Sequence, residues 1–108
     1  MARTARASQG GFVYHVLNRG NGRADVFHQD DDFAAFVELM NEAHEKVPMR
    51  LVGYCLMPNH FQLILLPHDD GDLSRWMQWL MKAHVRRYYR QYQGSGHVWQ
   101  GRIKPFAV

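Results

Sequence analysis

The sequence predicts an α+β domain in which two helices cover one face of a four-stranded antiparallel sheet. Segments with strand patterning and segments with helical patterning follow one another in the order β-α-β-β-α-β. The chain has 108 residues, which is the length of one domain, and no linker or internal repeat divides it. Hydrophobic residues make up 46% of the sequence, enough for one modest core.

The first half of the chain predicts a strand followed by a helix. Residues 11–18 (GFVYHVLN) are rich in β-branched and aromatic residues, and the turn-forming residues 20–22 (GNG) end this run. Three aspartates at 30–32 then supply the negative charge and the capping groups typical of a helix start. Apolar residues at helical spacing follow, so we expect a helix over about 30–46.

The second half predicts two strands and a long helix. Residues 49–57 (MRLVGYCLM) and 60–66 (HFQLILL) have strand composition, and Pro58-Asn59 between them is a turn pair. Gly71-Asp72 opens a helix over about 72–92. Its apolar stripe comprises Leu73, Trp76, Met77, Leu80, Met81, Val85 and Tyr88.

Residues 98–108 (VWQGRIKPFAV) predict the fourth strand. The complete order is the ferredoxin-like pattern, in which the first and third strands are central and the second and fourth are edges. Gly53 and Pro105 then both fall on edge strands, where a missing side chain or a missing N–H donor is tolerated.

The charge distribution predicts an anionic partner. The net charge is +3, but every acidic residue lies between Asp25 and Asp72. The cations after Asp72 are Arg75, Lys82, Arg86, Arg87, Arg90, Arg102 and Lys104. Nucleic acid is the commonest partner of such one-sided charge, and the alternative is a solvated helix face.

Cysteine and hydropathy usage indicate a cytoplasmic protein. The only cysteine, Cys55, excludes an internal disulfide and is expected to be a buried small hydrophobe. No apolar run is long enough to span a membrane, and the first residues lack the apolar stretch of a signal peptide.

Strand parity on the third strand predicts the functional site. Because side chains alternate between faces, Phe61, Leu63 and Leu65 form the face that the helices cover. His60 and Gln62 are therefore expected on the open face. On the neighbouring first strand, His15 is expected on that same face because Phe12, Tyr14 and Val16 form an apolar set.

This grouping is compatible with a divalent ion. Imidazole nitrogen and amide oxygen from His60, Gln62 and His15 are acceptable ligands for manganese, nickel or zinc, whereas magnesium prefers more oxygen. The alternative is a set of surface polar residues without a ligand, and spacing alone does not decide between the two.

Three motifs resemble the REP-associated tyrosine transposases, a group of single-tyrosine HUH transposases. Residues 57–63 (MPNHFQL) are similar to the family's metal-binding strand, in which two histidines flank one bulky hydrophobic residue. Residues 14–20 (YHVLNRG) are similar to its first strand, and residues 96–102 (GHVWQGR) to the segment before its last strand. The family's fold is also ferredoxin-like.

The resemblance implies a chemistry and a substrate. In the family, a divalent cation, here expected to be Mg²⁺ or Mn²⁺, polarises the scissile phosphate, and a tyrosine attacks to leave a 5′-phosphotyrosine and a free 3′-OH. The substrate is single-stranded DNA that carries a hairpin. Related transposases include dimers, so the resemblance also allows a homodimer.

The sequence departs from the family pattern at two points. We therefore expect the chain to bind DNA and metal but to cleave DNA little or not at all. Gln62 occupies the position of the second histidine, and glutamine is the weaker ligand for most transition metals. The family's nucleophilic tyrosine follows the last strand, and this chain of 1–108 ends before the corresponding helix. We therefore assign no catalytic residue. Tyr92 on the second helix is a minor alternative for the nucleophile.

Aromatic and cationic groups together suit unpaired DNA. The residues expected to contact DNA are Arg19, Arg86, Arg87, Tyr89, Arg90, Trp99, Arg102 and Lys104, with a core role for Trp99 as the alternative. Two other functions stay open: a non-catalytic RNA-recognition-like binding module, which has the same element order, and a degenerate transposase remnant.

Overall fold

The computed structural model describes residues 9–94, 96–101 and 104–107. Its elements are β1 (Tyr14–Arg19), a 3-10 turn (Asn21–Arg23), α1 (Asp30–Lys46), β2 (Met49–Met57), β3 (His60–Pro67), α2 (Asp72–Tyr92) and β4 (Lys104–Ala107). The strands form one antiparallel sheet in the order β2-β3-β1-β4. The predicted ferredoxin-like α+β fold is confirmed, with β1 and β3 central and Gly53 and Pro105 on edge strands.

The core lies between the sheet and the two helices, and strand parity builds it. Along β3 the side chains alternate between half-buried and buried, and Phe61, Leu63 and Leu65 have no exposed surface. Tyr14 and Val16 are equally buried on β1. The helices close this layer with their fully or almost fully buried residues Phe36, Met40, Ala43, Leu73, Trp76, Met77 and Leu80. The parity prediction is therefore confirmed.

Two strands are shorter than the sequence predicts. The first begins at Tyr14 and not at residue 11, because Gly11 has a φ of +82° that an extended strand does not accommodate. The last begins at Lys104 and not at residue 98. Before it, Trp99 forms an isolated bridge with Gly20, and Gly101 has a φ of +79° that breaks the extended conformation.

A buried aspartate joins the two helices at one end of the molecule. Asp32 accepts hydrogen bonds from the Tyr92 hydroxyl at 2.5 Å and from the Arg87 guanidinium at 3.1 Å, and its other bonds come from backbone N–H groups before α1. Burial alone would raise the pKa of Asp32, but these hydrogen bonds together lower it below its usual value. The start of α1 is thereby tied to the end of α2.

A buried histidine joins α2 to the segment before β4. His84 is 1% exposed, and its Nδ1 accepts a hydrogen bond from the indole N–H of Trp99 at 3.2 Å. Burial, with a smaller contribution from the nearby Arg87 cation, lowers the pKa of His84 to about 4. The neutral imidazole is required here, because only an unprotonated Nδ1 can accept the indole proton.

The expectation of a buried Cys55 is wrong. Cys55 is exposed, because it lies opposite Gln62 on the open face of edge strand β2. Within the described ranges, no helix combines the length and apolar character needed to cross a membrane.

Candidate functional site on the open sheet face

The open face brings together the three side chains expected to form a site. His15, His60 and Gln62 are all half-buried and belong to the strand positions that point away from the helices. His15 Nε2 lies 3.1 Å from Gln62 Oε1. Since the amide oxygen can only accept, His15 donates from Nε2 and leaves a lone pair on Nδ1.

The tautomer of His60 leaves its outer nitrogen available. His60 Nδ1 lies 3.0 Å from Asn59 Oδ1, an oxygen that can only accept, so Nδ1 carries the proton. Nε2 of His60 then has a free lone pair. A hydrogen bond from the second ring nitrogen to an oxygen acceptor is the usual way in which proteins orient a metal-binding imidazole.

The strand register separates the two histidines. His60 lies opposite Arg19, whereas His15 lies opposite Ile64, which is four residues farther along β3. At ~3.4 Å per residue this offset is about 13 Å along the strand. Gln62 lies between them, so the structure joins His15 to Gln62 and does not place His15 directly beside His60.

These residues are a modest donor set for a divalent ion. Among the described residues, no group of three or more His, Cys, Asp or Glu side chains is arranged to hold a metal. The usable atoms on the open face are His60 Nε2 and Gln62 Oε1, with His15 Nδ1 after a ring movement. One imidazole and one amide oxygen fit Mn²⁺ better than Zn²⁺ in a structural site, which takes four protein ligands.

The register adds further residues to the open face. Arg19 is exposed and lies directly opposite His60, which places a cation beside the candidate site. Phe106 lies opposite His15 on β4 and is 57% exposed. The sequence did not identify Phe106 as a site residue, because it does not reveal the register of β4. The pairing of β4 with β1 places Phe106 on this face, since residues directly opposite each other share a face. Met57, 44% exposed, lies opposite His60 on the other side.

The remaining DNA-binding candidates are distributed over several surfaces. Arg86 and Arg90 are exposed on α2, whereas Arg87 is bound to Asp32 and Tyr89 is half-buried. Trp99 is 6% exposed and bonded to His84, as the alternative core role expects.

Two more of these candidates lie in the last strand region. Lys104 lies opposite Leu17, but its side chain is outside the description of the structure. Arg102 lies outside the described residues altogether.

No tyrosine lies on the open face, although all five tyrosines of the sequence are described. Tyr14 is in the core, and Tyr54 lies opposite Leu63 on the helix side of the sheet. Tyr88, Tyr89 and Tyr92 belong to α2. The hydrogen bond to Asp32 raises the pKa of Tyr92, which opposes the ionisation that a nucleophile needs.

The fold and this face define an α+β domain that presents imidazole, amide and cationic groups on an uncovered sheet, with no tyrosine beside them. The family described as "Transposase IS200 like" matches residues 8–106, nearly the whole chain. The chain therefore belongs to the IS200-like transposase family. No curated protein sequence matches it significantly.

Two solved structures have a similar fold. A candidate transposase from Deinococcus radiodurans R1 is 18% identical, with a TM-score of 0.72, over 89% of this chain and 78% of that one. A REP-associated tyrosine transposase bound to a REP hairpin is 17% identical, with a TM-score of 0.66, over 100% of this chain. The present chain spans 62% of the length of the latter. Family membership favours the transposase interpretation over the RNA-recognition-like module.

Proposed function

We propose that this domain binds hairpin-bearing single-stranded DNA on its open sheet face with the assistance of a divalent cation, and that these 108 residues do not cleave the DNA by themselves. The observation that carries the proposal is the pairing of His60, with its free Nε2, and Gln62 on the face opposite the helices. A related fold was solved with a REP hairpin, which supports hairpin DNA as the ligand.

The cation site would use His60 Nε2 and Gln62 Oε1, with His15 as the neighbour that holds the amide. A bound Mn²⁺ or Mg²⁺ would supply positive charge to a phosphate oxygen of the DNA. His15 donates to Gln62 Oε1 and so fixes the orientation of the carboxamide, whose oxygen retains a second lone pair. Asn59 performs the same orienting role for His60.

Two further residues suit the single-stranded part of the ligand. Arg19, opposite His60, would contact a phosphate adjacent to the cation site. Phe106 would stack on an unpaired base, since an exposed aromatic ring beside polar groups is the usual platform for single strands. Lys104 and Arg102 belong to the same strand region and are proposed as additional phosphate contacts.

The proposed absence of cleavage rests on the placement of the tyrosines. None of the five lies on the open face, and Tyr92 donates its hydroxyl proton to Asp32 on the helix side. The weaker ligand Gln62 further reduces cation affinity relative to a two-histidine site. A cytoplasmic location, where DNA is available and Cys55 remains reduced, accords with this function.

The proposal is tested by fluorescence anisotropy with a labelled hairpin oligonucleotide that carries a single-stranded flank, with and without Mn²⁺. The wild-type chain is expected to bind more tightly with Mn²⁺, and His60→Ala is expected to lose this metal dependence. Gln62→His is expected to strengthen it. His68→Ala, which removes an exposed histidine from a loop, is the matched control.

The same samples are then analysed on denaturing gels for a covalent protein–DNA adduct. None is expected from the wild-type chain. Equal metal dependence in wild type and His60→Ala would contradict the cation site, and an adduct would contradict the proposed absence of cleavage.

A further inference from the structure

A row of cations runs along the outer surface of α2, on the opposite side of the molecule from His60. Lys82, Arg86 and Arg90 are all exposed and are spaced four residues apart, so they form one ridge. At a rise of 1.5 Å per residue, each step along this basic ridge is about 6 Å. The described residues form two ion pairs, Arg75–Asp72 and Arg87–Asp32, and neither involves the ridge.

The neighbouring helix has the opposite charge. Glu38, Glu42 and Glu45 are exposed on α1, which packs against α2. The outer surface of the helix layer therefore has an acidic side and a basic side, and an anionic ligand would be directed to α2. Like charges four residues apart destabilise a helix, so the basic ridge is unfavourable for the isolated helix and is compensated when an anion binds.

The aromatic residues next to the basic ridge, Trp79 and Tyr89, are partly buried and pack against the core, so they offer little ring surface for base stacking. Tyr88 and Tyr92 turn towards His28, and Tyr92 is bonded to Asp32. Gln78, the next exposed residue before Lys82 on the same side of α2, is polar. A surface with exposed cations and only partly buried rings suits the phosphate backbone of a duplex, whereas single strands typically use exposed aromatic platforms such as Phe106 on the open face.

We propose that the basic ridge binds the phosphate backbone of the paired stem of the hairpin, while the open face binds its unpaired flank. This inference rests on the proposed function and divides the DNA between two surfaces. It adds Lys82 to the DNA-contacting residues and separates Arg86 and Arg90 from the cation site. Because the contacts are to the backbone, stem binding through the ridge should be independent of the stem's base sequence.

The test compares three oligonucleotides: a hairpin with a single-stranded flank, the same flank alone, and a blunt duplex with the stem sequence. Binding of each is measured by anisotropy over a salt titration for wild type and for the triple variant Lys82→Gln, Arg86→Gln and Arg90→Gln. A second variant adds Glu38→Gln, Glu42→Gln and Glu45→Gln, which restores the net charge to +3. Circular dichroism melts check that each variant is folded.

The triple variant is expected to bind the hairpin and the duplex more weakly and the flank as wild type does. The loss of three phosphate contacts should flatten the slope of log K against log salt by roughly 2.7, which is a loss of between about 10- and 500-fold at ~0.1 M salt. The charge-restored variant should remain weak, because its cations are still missing from the ridge.

Three results would overturn the inference: unchanged duplex affinity in the triple variant, equal loss for the flank and the duplex, or full recovery in the charge-restored variant. A change of oligomeric state in light scattering without a change in DNA affinity would overturn it as well, since the ridge would then bind a second copy of the chain. Failure of the proposed function gives a different result from failure of this inference. In that case the affinity of the wild-type chain for the flank would not depend on the metal.

Discussion

The buried His84 predicts a defined loss of stability in mild acid. The pKa of His84 is about 4 in the folded chain, against 6.5 for a free histidine side chain, so the folded state binds fewer protons than the unfolded state below about pH 6.5. Stability is then full above pH 6.5 and falls as the pH falls. This lowering of the His84 pKa decreases the free energy of unfolding by about 2 kcal/mol at pH 5 and by about 3 kcal/mol at pH 4.

The assay is urea denaturation at pH 7.5 and at pH 5. Because pH 5 lies above the usual pKa of carboxylates, their protonation does not dominate the change in stability. His84→Gln is the comparison, because its amide oxygen can still accept the Trp99 indole proton but does not titrate. The wild-type chain should lose about 2 kcal/mol more than His84→Gln over this interval. Burial also lowers the pKa of His44, so both proteins share a smaller background loss. An identical pH dependence in the two proteins would refute the reasoning.

Three other perturbations have defined outcomes. Asp32→Asn should destabilise the chain by roughly 2–3 kcal/mol in urea denaturation, because it weakens the bonds from Tyr92 and Arg87; a change below about 0.5 kcal/mol would contradict the helix link. Cys55 should react with a thiol reagent in the native state, and a requirement for denaturant would contradict its exposure. Phe106→Ala should weaken single-strand affinity by about 5- to 100-fold with unchanged duplex affinity, and equal loss for both would contradict base stacking.

The sequence predicts most of the fold because its signals are local. Three aspartates at 30–32 mark the start of α1, and the alternation of Phe61, Leu63 and Leu65 sets the orientation of β3. The sequence places the starts of β1 and β4 too early, because Gly11 and Gly101, which have positive φ, interrupt runs whose composition is typical of strands.

The site is less predictable because it depends on register. Alternation places His60, Gln62 and His15 on one face, but only the pairing of β1 with β3 shows that His15 meets Gln62 and not His60. The partners of Trp99 and Arg87 are likewise tertiary. The indole bonds to His84, fifteen residues away, and the guanidinium bonds to Asp32, 55 residues away. No local pattern in the sequence distinguishes such buried contacts from surface groups that meet DNA.

The most direct test of the open-face site is NMR with Mn²⁺ added to the isotope-labelled chain. Paramagnetic broadening should be strongest at the amides of His60 and Gln62, should be lost in His60→Ala, and should persist in His97→Ala, which removes an exposed loop histidine. Broadening centred away from β1 and β3, or the same broadening in wild type and His60→Ala, would contradict a cation site on the open face.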